Sequence, residues 1–280
     1  MIKFRILGPL EVTQGDVTCT PTAPKAQQAL SLLLLRANHI VSISALVDEL
    51  WADNPPASAV ITAQSYIYQI RRCIHPKEKK SRIRSQFTQQ ADTEDGVTLL
   101  TRSPGYILLK REGQLDLDDF TRLAGEGRAL LDRGDTQAAA VLLRQAMSLW
   151  RGSSPLSGVR CGPLLHAHLT VLSEEWMRVL ALRIQADMAL GRHHDLVGEL
   201  RSLVAAHPLN EWLHGRLITA LYAVGRRGEA LEACLSLSDT LRRELGVDLS
   251  LELRQLQHQI LIGQPPTPGT PGAPPLTHAS

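Results

Sequence analysis

Residues 42–74 read SISALVDELWADNPPASAVITAQSYIYQIRRCI, and this stretch contains two helix patterns separated by a loop. Ser42 is a favourable N-cap for the first pattern, whose apolar residues recur at helical spacing. Pro55 and Pro56 push the residues before them out of the helical region, so the loop ends the first helix. Ser58 is a favourable cap for the second helix. The predicted buried stripe of that second helix consists of Val60, Ala63, Ile67, Ile70 and Ile74.

The opposite side of the second helix is the most informative chemical feature of the chain. An α-helix fits the major groove of duplex DNA, where amide, hydroxyl and guanidinium groups can bond to base edges or phosphates. The alternative is an ordinary amphipathic helix whose polar side is simply solvated. The candidate contact residues on this side are Thr62, Gln64, Ser65, Tyr68, Gln69, Arg71 and Arg72.

The segments on either side of this helix pair favour DNA binding over the solvated alternative. Residues 2–20 alternate like short strands, and a helix pattern begins near Pro24, a residue suited to a first helical turn. After the pair come a charged connector (residues 77–96), two strand patterns (residues 83–88 and 97–101), a Ser103-Pro104-Gly105 turn and a strand over residues 106–109. The order predicts a winged helix-turn-helix within residues 1–112, preceded by its own small sheet.

Basic residues outside the helix fit the same interpretation. Residues 71–84 contain seven Lys or Arg and one acid, which indicates a polyanionic partner. Arg102 is predicted at the hairpin tip, where an arginine can enter an adjacent minor groove. Lys25 is predicted at a helix N-terminus, which favours a phosphate.

The second half of the chain shows only helical periodicity. Helix patterns end at Gly134, Gly191 and Gly225, and a partner helix follows each. Gly191 and Gly225 are 34 residues apart, which is the period of tetratricopeptide helix pairs. Residues 113–262 are therefore predicted to form an all-α tetratricopeptide-like domain. The Pro-rich residues 263–280 are predicted to be a disordered tail.

Several function classes are not supported by any motif. The chain lacks phosphate-binding loops, the HExxH motif and the GxSxG elbow, so we expect no enzyme, no catalytic residue and no cofactor. Its four cysteines are far apart and no ligand spacing occurs, so we expect no metal site. No apolar run is long enough to span a membrane, and the first residues do not form a secretory signal. Together with the predicted DNA binding, this leads us to expect a cytoplasmic, nucleoid-associated protein.

The chain resembles the Streptomyces antibiotic regulatory proteins over about residues 2–262. The resemblance lies in the order and spacing of several segments. These are FRILGPLEV (4–12), VSISALVDELWADNPPASA (41–59), ALLDRGDTQAAAVLLRQAMSLWRG (129–152) and LRRELGVDLSLELRQLQHQIL (241–261).

This resemblance implies an α+β N-terminal winged helix-turn-helix of the response-regulator type, followed by a tetratricopeptide-like bacterial transcriptional activator domain. It also implies a dimer that binds direct repeats in double-stranded DNA near the promoter −35 region. Such activators recruit RNA polymerase with its sigma factor to a secondary-metabolite (antibiotic) gene cluster.

The resemblance also implies roles for individual residues. The recognition helix maps to residues 58–74, with contacts best placed on Thr62, Ser65, Gln69, Arg71 and Arg72, and on Arg102 in the wing. Trp51, Asp53 and Asn54, in the loop between the two helices, would contact polymerase. The alternative is a tetratricopeptide-type adaptor that binds protein and not DNA.

Overall fold

A computed structural model of the chain describes residues 2–74, 97–152 and 154–264. It contains two compact units: the first comprises residues 1–125 and 145–176, and the second comprises residues 126–144 and 177–280. The predicted charged connector, the strand predicted at residues 83–88 and the tail from residue 265 lie outside the described residues.

A small antiparallel sheet opens the first unit. Its strands are β1 (Ile2–Arg5), β2 (Glu11–Gln14) and β3 (Val17–Thr18), in that order. Buried and exposed residues alternate along β1, and Phe4 pairs with Val12, which is also buried. The predicted N-terminal strands are therefore confirmed, with one face of the sheet in the core.

Three helices follow the sheet: α1 (Pro24–Leu35), α2 (Ile43–Trp51) and α3 (Ala59–Ile74). The Oγ atom of Ser42 accepts a hydrogen bond from the Ala45 amide at 3.0 Å, which confirms the predicted cap of α2. The three helices pack on one another around a shared apolar core. Fully buried members of that core include Leu30, Leu32, Leu33, Leu46, Ile67 and Ile70.

A second antiparallel sheet contains the predicted hairpin. Its strands are β4 (Ile40–Ser42), β5 (Thr98–Arg102) and β6 (Gly105–Leu109), in the order β4-β6-β5. The sequence analysis did not predict β4, because three residues are too few to show an alternating pattern. A Cβ atom at Gly105 would lie 1.9 Å from the Val41 carbonyl oxygen, so only glycine permits this strand pairing.

The first unit continues past the hairpin into α4 (Asp116–Asp132), α5 (Thr136–Ser148) and α6 (Pro163–Ala189), which have residues in both units. The Asp116 carboxylate accepts hydrogen bonds from the amides of Ile6 at 2.9 Å and Leu7 at 3.0 Å. These bonds link the start of α4 to the N-terminal segment. A domain boundary at residue 112 stays a prediction.

The second unit is helical and contains α7 (His193–Ala206), α8 (Glu211–Ala223), α9 (Arg227–Leu245) and α10 (Leu251–Ile262). Helix α8 packs against α7, α9 and α10. Gly191 and Gly225 lie in the turns before α7 and α9 with φ of 73° and 80°, which glycine adopts without steric cost. The predicted helix ends at these glycines are thus confirmed.

A buried ionic network lies within the second unit. Asp187 is almost fully buried and is paired with Arg144, Arg183 and Arg192. Arg183 is also buried and bonds to Glu199 on α7 at 2.8 Å. Because each buried charge has a partner of opposite sign, the network joins α5, α6 and α7 without leaving an unpaired ion.

Candidate nucleic-acid interface

Helix α3 has one buried face and one exposed face. The buried residues are Ala59, Ala63, Ile67, Ile70 and Ile74. The prediction that Val60 is buried is wrong, since its side chain is 47% exposed and Ala59 takes its place. Four residues make slightly more than one helical turn, so Ala59 lies closer than Val60 to the face that contains Ala63.

The exposed face of α3 presents most of the predicted contact residues to solvent. Four of these side chains have a hydrogen-bonding group and are exposed: Gln64, Ser65, Tyr68 and Gln69. The Thr62 side chain is half-buried. No acidic residue occurs anywhere in α3. The face is therefore polar and carries no negative charge, which suits a polyanionic ligand.

Two hydroxyl groups on this helix already donate to a group four residues earlier in the chain. The Ser65 Oγ atom donates to the Ile61 carbonyl at 3.1 Å, and the Thr62 Oγ1 atom lies 3.5 Å from the Ser58 Oγ atom. With its proton used, the Ser65 hydroxyl can still accept a hydrogen bond from a base amino group.

Arg71 is held by the hairpin. Its Nε atom donates to the Leu99 carbonyl at 3.1 Å, and its Nη2 atom donates to the Thr101 Oγ1 atom at 2.9 Å. The guanidinium also lies 5.7 Å from the centroid of the Tyr106 ring. Burial lowers the pKa of Arg71 from its ordinary value. Arg71 thus connects the last turn of α3 to β5 and β6, and a DNA contact by this side chain stays a prediction.

Arg72 and Arg102, unlike Arg71, face solvent. Both are exposed, and within the described ranges neither side chain forms a hydrogen bond or ion pair. Arg102 ends β5 and pairs with Gly105 across the Ser103-Pro104 turn, so it lies at the hairpin tip as predicted. Thr101, which precedes Arg102 in β5, bonds to Arg71 of α3. The hairpin tip is therefore next in sequence to a residue that contacts α3.

Lys25 also has internal partners. Its Nζ atom donates to the Leu50 carbonyl at 2.7 Å and lies 4.1 Å from the Trp51 ring centroid. Burial, and then the positive charge of Arg160, lower the pKa of Lys25. The side chain therefore stabilises the end of α2, and its predicted phosphate contact stays a prediction.

The loop after α2 presents the other predicted contact residues. Asp53 and Asn54 are exposed, whereas Trp51 is half-buried beneath Lys25. Ala52 adopts a φ of 49°, which turns the chain sharply at the end of the helix. Asp53 and Asn54 are thus accessible to a partner, whereas Trp51 belongs in part to the packing of α2.

The sequence analysis missed Ile61. This side chain is 68% exposed on α3, and it lies four residues before Ser65 and seven before Tyr68. The same helical spacing that selected Ser65 and Tyr68 would have placed Ile61 with them, but an isoleucine among polar residues was not considered.

The described residues contain no group of three or more His, Cys, Asp or Glu side chains that could hold a metal ion. Over the same part of the chain, no helix combines the length and apolarity that a membrane span requires. Within the described residues, the candidate site consists of the exposed face of α3 and the hairpin tip.

Comparison with known proteins identifies the family. Residues 115–261 match the bacterial transcriptional activator domain. The chain is 39% identical over 264 residues to the regulatory protein DnrI of Streptomyces peucetius, covering 94% of this chain and 93% of DnrI. It is 31% identical to the regulatory protein AfsR of Streptomyces griseus over 93% of its own length, but it spans only 24% of AfsR.

A solved structure extends the similarity to the fold. Mycobacterium tuberculosis EmbR, in complex with a low affinity phosphopeptide, superposes with a TM-score of 0.81 at 29% identity. The match covers 94% of this chain and 66% of the EmbR chain. The α+β N-terminal region and the helical region that follows it are therefore confirmed as a winged helix and an activator domain.

Helix α3, the hairpin and the activator domain thus occur together in a chain that is similar to DnrI along nearly its whole length. Since DnrI and AfsR are regulatory proteins and the matched domain is a transcriptional activator domain, the chain is a transcriptional regulator and not an enzyme. The chain belongs to the Streptomyces antibiotic regulatory protein family of DNA-binding transcriptional activators.

Proposed function

We propose that this chain activates a secondary-metabolite (antibiotic) biosynthetic gene cluster by binding direct repeats near the promoter −35 region. Two copies bind the repeats side by side on the nucleoid, and RNA polymerase with its sigma factor is recruited to the promoter. The observation that carries the proposal is the exposed face of α3, which has no acidic residue. It adjoins a hairpin whose terminal arginine, Arg102, has no hydrogen bond or ion pair among the described residues.

The contact residues have two different tasks in this proposal. Arg71 and Lys25 hold the hairpin and the end of α2, because their cationic groups are already bonded within the chain. The remaining predicted residues contact bases or phosphates, six of them through exposed side chains and Thr62 through a half-buried one. They are Thr62, Gln64, Ser65, Tyr68, Gln69, Arg72 and Arg102.

The test of DNA binding begins with a duplex selected by the full-length chain from a random library. Fluorescence anisotropy then gives the affinity of the chain for that duplex at several salt concentrations. Each phosphate neutralised by a cation contributes about −0.9 to the slope of log affinity against log salt. We expect Arg72→Ala and Arg102→Ala to weaken binding by about 1–3 kcal/mol each, and to flatten the slope wherever the lost contact was to a phosphate.

Arg254→Ala is the matched control. Arg254 is an exposed arginine on α10 whose side chain has no hydrogen bond or ion pair among the described residues, and it lies outside the proposed interface. Its removal should leave both the affinity and the slope unchanged. If no duplex is enriched, or if binding is insensitive to salt, DNA binding is refuted and the protein-binding adaptor becomes the better interpretation.

Polymerase recruitment is tested separately. Asp53→Ala and Asn54→Ala remove exposed groups from the loop and leave α3 intact. We expect unchanged duplex affinity and reduced transcription in a reaction reconstituted with purified RNA polymerase. Normal transcription by both variants would remove the loop from the proposed polymerase contact.

A further inference from the structure

Helix α3 has an apolar side chain on its polar face. Ile61, at 68% exposure, is the most exposed large apolar side chain in the part of the chain that the structure describes. Val60 beside it is also exposed. Both lie in the first turn of α3, which begins at Ala59.

Ile61 is not a residue at the margin of the core. It precedes the fully buried Ile70 by nine residues, which is about two and a half helical turns, so the two side chains point in opposite directions. Ser65, Tyr68 and Arg72 follow Ile61 at spacings of four, seven and eleven, which places all four residues on one side of the helix.

The residues around Ile61 indicate which kind of partner binds this face of α3. Arg72 supplies on the same side a positive charge that is unpaired within the part of the chain that the structure describes, and α3 contains no acidic residue to repel phosphates. Because the Ser65 hydroxyl donates to the Ile61 carbonyl, its remaining capacity is to accept a hydrogen bond. This combination of groups complements a DNA groove better than an apolar protein surface.

The major groove offers one apolar group to such a side chain. Among the four base pairs, only those with thymine present a methyl group, at C5, on the groove floor. In helix-turn-helix proteins the N-terminal residues of the recognition helix contact base edges, and Ile61 lies in that first turn.

We propose that Ile61 determines specificity by packing on the C5-methyl group of a thymine in each repeat, with Val60 at the edge of the same contact. This assignment rests on the proposed DNA binding by α3. It adds to that proposal one base identity and the residue that recognises it.

Replacement of thymine by deoxyuridine tests the contact, because it removes only the methyl group and preserves base pairing. The probe is the duplex selected by the full-length chain, with each thymine replaced in turn. For the unmodified chain, we expect one position in each repeat to bind about fourfold more weakly after the replacement, which corresponds to one buried methyl group. Ile61→Ala should bind the thymine and deoxyuridine duplexes equally at that position.

Val171→Ala is the matched control, because Val171 is 65% exposed on α6 and lies outside the α3 face. This variant should keep the full preference for thymine. Ile61→Gln is a second test variant, which keeps a long side chain without a methyl group at the position in case alanine alters the first turn of α3. It should also bind the thymine and deoxyuridine duplexes equally at that position.

The possible outcomes separate this assignment from DNA binding itself. If the unmodified chain ignores every deoxyuridine replacement, or if both Ile61 variants keep the preference for thymine, the assignment is wrong and DNA binding stands. If the Ile61 variants bind DNA normally but fail to support transcription, Ile61 contacts protein and the assignment is again wrong. Failure to select any duplex would refute both proposals together.

Discussion

Arg71 and Arg72 are adjacent in the sequence and have different surroundings in the fold. Arg71 bonds to the Leu99 carbonyl and the Thr101 hydroxyl, whereas the Arg72 guanidinium has no hydrogen bond or ion pair among the described residues. Because the two helical positions are separated by about 100°, one faces the hairpin and the other faces solvent.

This difference predicts two kinds of DNA-binding defect. Arg71→Met should weaken duplex binding by loosening the hairpin, and it should leave the slope of log affinity against log salt unchanged because no phosphate contact is lost. In the double variant Arg71→Met/Arg102→Ala, the loss should be smaller than the sum of the two single losses. The measurement is anisotropy across a salt series. A slope reduced by about 0.9 in Arg71→Met would instead assign Arg71 to a phosphate.

We expect His214 to make the stability of the second unit depend on pH. Its Nε2 atom donates to the Pro208 carbonyl at 3.1 Å, and its buried Nδ1 atom has no partner in the described part of the chain. Burial lowers the pKa of His214 below its ordinary value of 6.5, against smaller opposing effects of Pro208 and Glu211. The folded state therefore keeps the imidazole neutral at a pH where the unfolded chain binds a proton.

Since the unfolded state binds more protons below about pH 6.5, the stabilisation due to neutral His214 is present above that pH and is lost as the pH falls through the lower folded pKa. Urea unfolding at about pH 7.5 and 5.5 should show a smaller loss of stability in His214→Gln than in the unmodified chain. The exposed His258→Gln variant is the control and should behave like the unmodified chain. Equal pH dependence in all three proteins would contradict the assignment.

At the scale of elements, the buried Glu49 of α2 caps the start of α6. Its carboxylate accepts hydrogen bonds from the amides of Gly162 at 2.6 Å, Leu164 at 2.9 Å and Leu165 at 3.0 Å. It also accepts one from the Gln28 side chain at 2.9 Å. A side chain from one helix thereby satisfies free amides at the N-terminus of another, where a negative charge is also favoured by the helix dipole.

Removal of this cap should destabilise the first unit. Glu49→Ala leaves three backbone amides without their acceptor, whereas the Gln28 side-chain amide keeps its 2.7 Å bond to the backbone carbonyl of residue 49. We expect a loss on the order of 2–4 kcal/mol in the free energy of unfolding. Urea unfolding measures this loss. Asp48→Asn, an exposed change on the same helix, should cost less than about 0.5 kcal/mol. Similar stabilities for the two variants would show that the cap contributes little.

At the scale of the whole molecule, the first unit draws on residues far beyond the hairpin. Phe120, Trp150 and Trp176 form a chain of aromatic contacts within it, with ring centroids 5.5 and 6.0 Å apart. Asp116 and the residues that Glu49 caps also belong to this unit. A fragment that ends at residue 112 lacks all of these partners.

We therefore expect residues 1–112, as an isolated fragment, to unfold at a lower urea concentration than the same region of the full chain. The fragment should also bind the selected duplex more weakly, because Glu49 and the amides of Ile6 and Leu7 lose their partners. Circular dichroism during urea unfolding and anisotropy with the selected duplex provide the two measurements. A fragment with the affinity and stability of the full chain would show that residues 113–176 are dispensable for this unit.

The amino-acid sequence by itself determined the helix pair α2 and α3, the hairpin and the character of the α3 surface. Features that act through neighbours within a few residues could be predicted. They are the Ser42 cap, the Pro24 helix start, the hairpin turn and the glycines before α7 and α9. The polar residues of α3 could be selected because helical periodicity relates them directly.

Only the tertiary structure decided which of these residues are free. Three contacts depend on segments that are distant in sequence: the attachment of Arg71 to β5, the pairing of β4 with β6, and the Glu49 cap of α6. Glu49 lies 113 residues before Gly162, whose amide donates a hydrogen bond to it. Local spacing contains no information about such partners, because packing of the whole unit brings them together. For the same reason, the internal bonds of Lys25 became visible only in the folded chain.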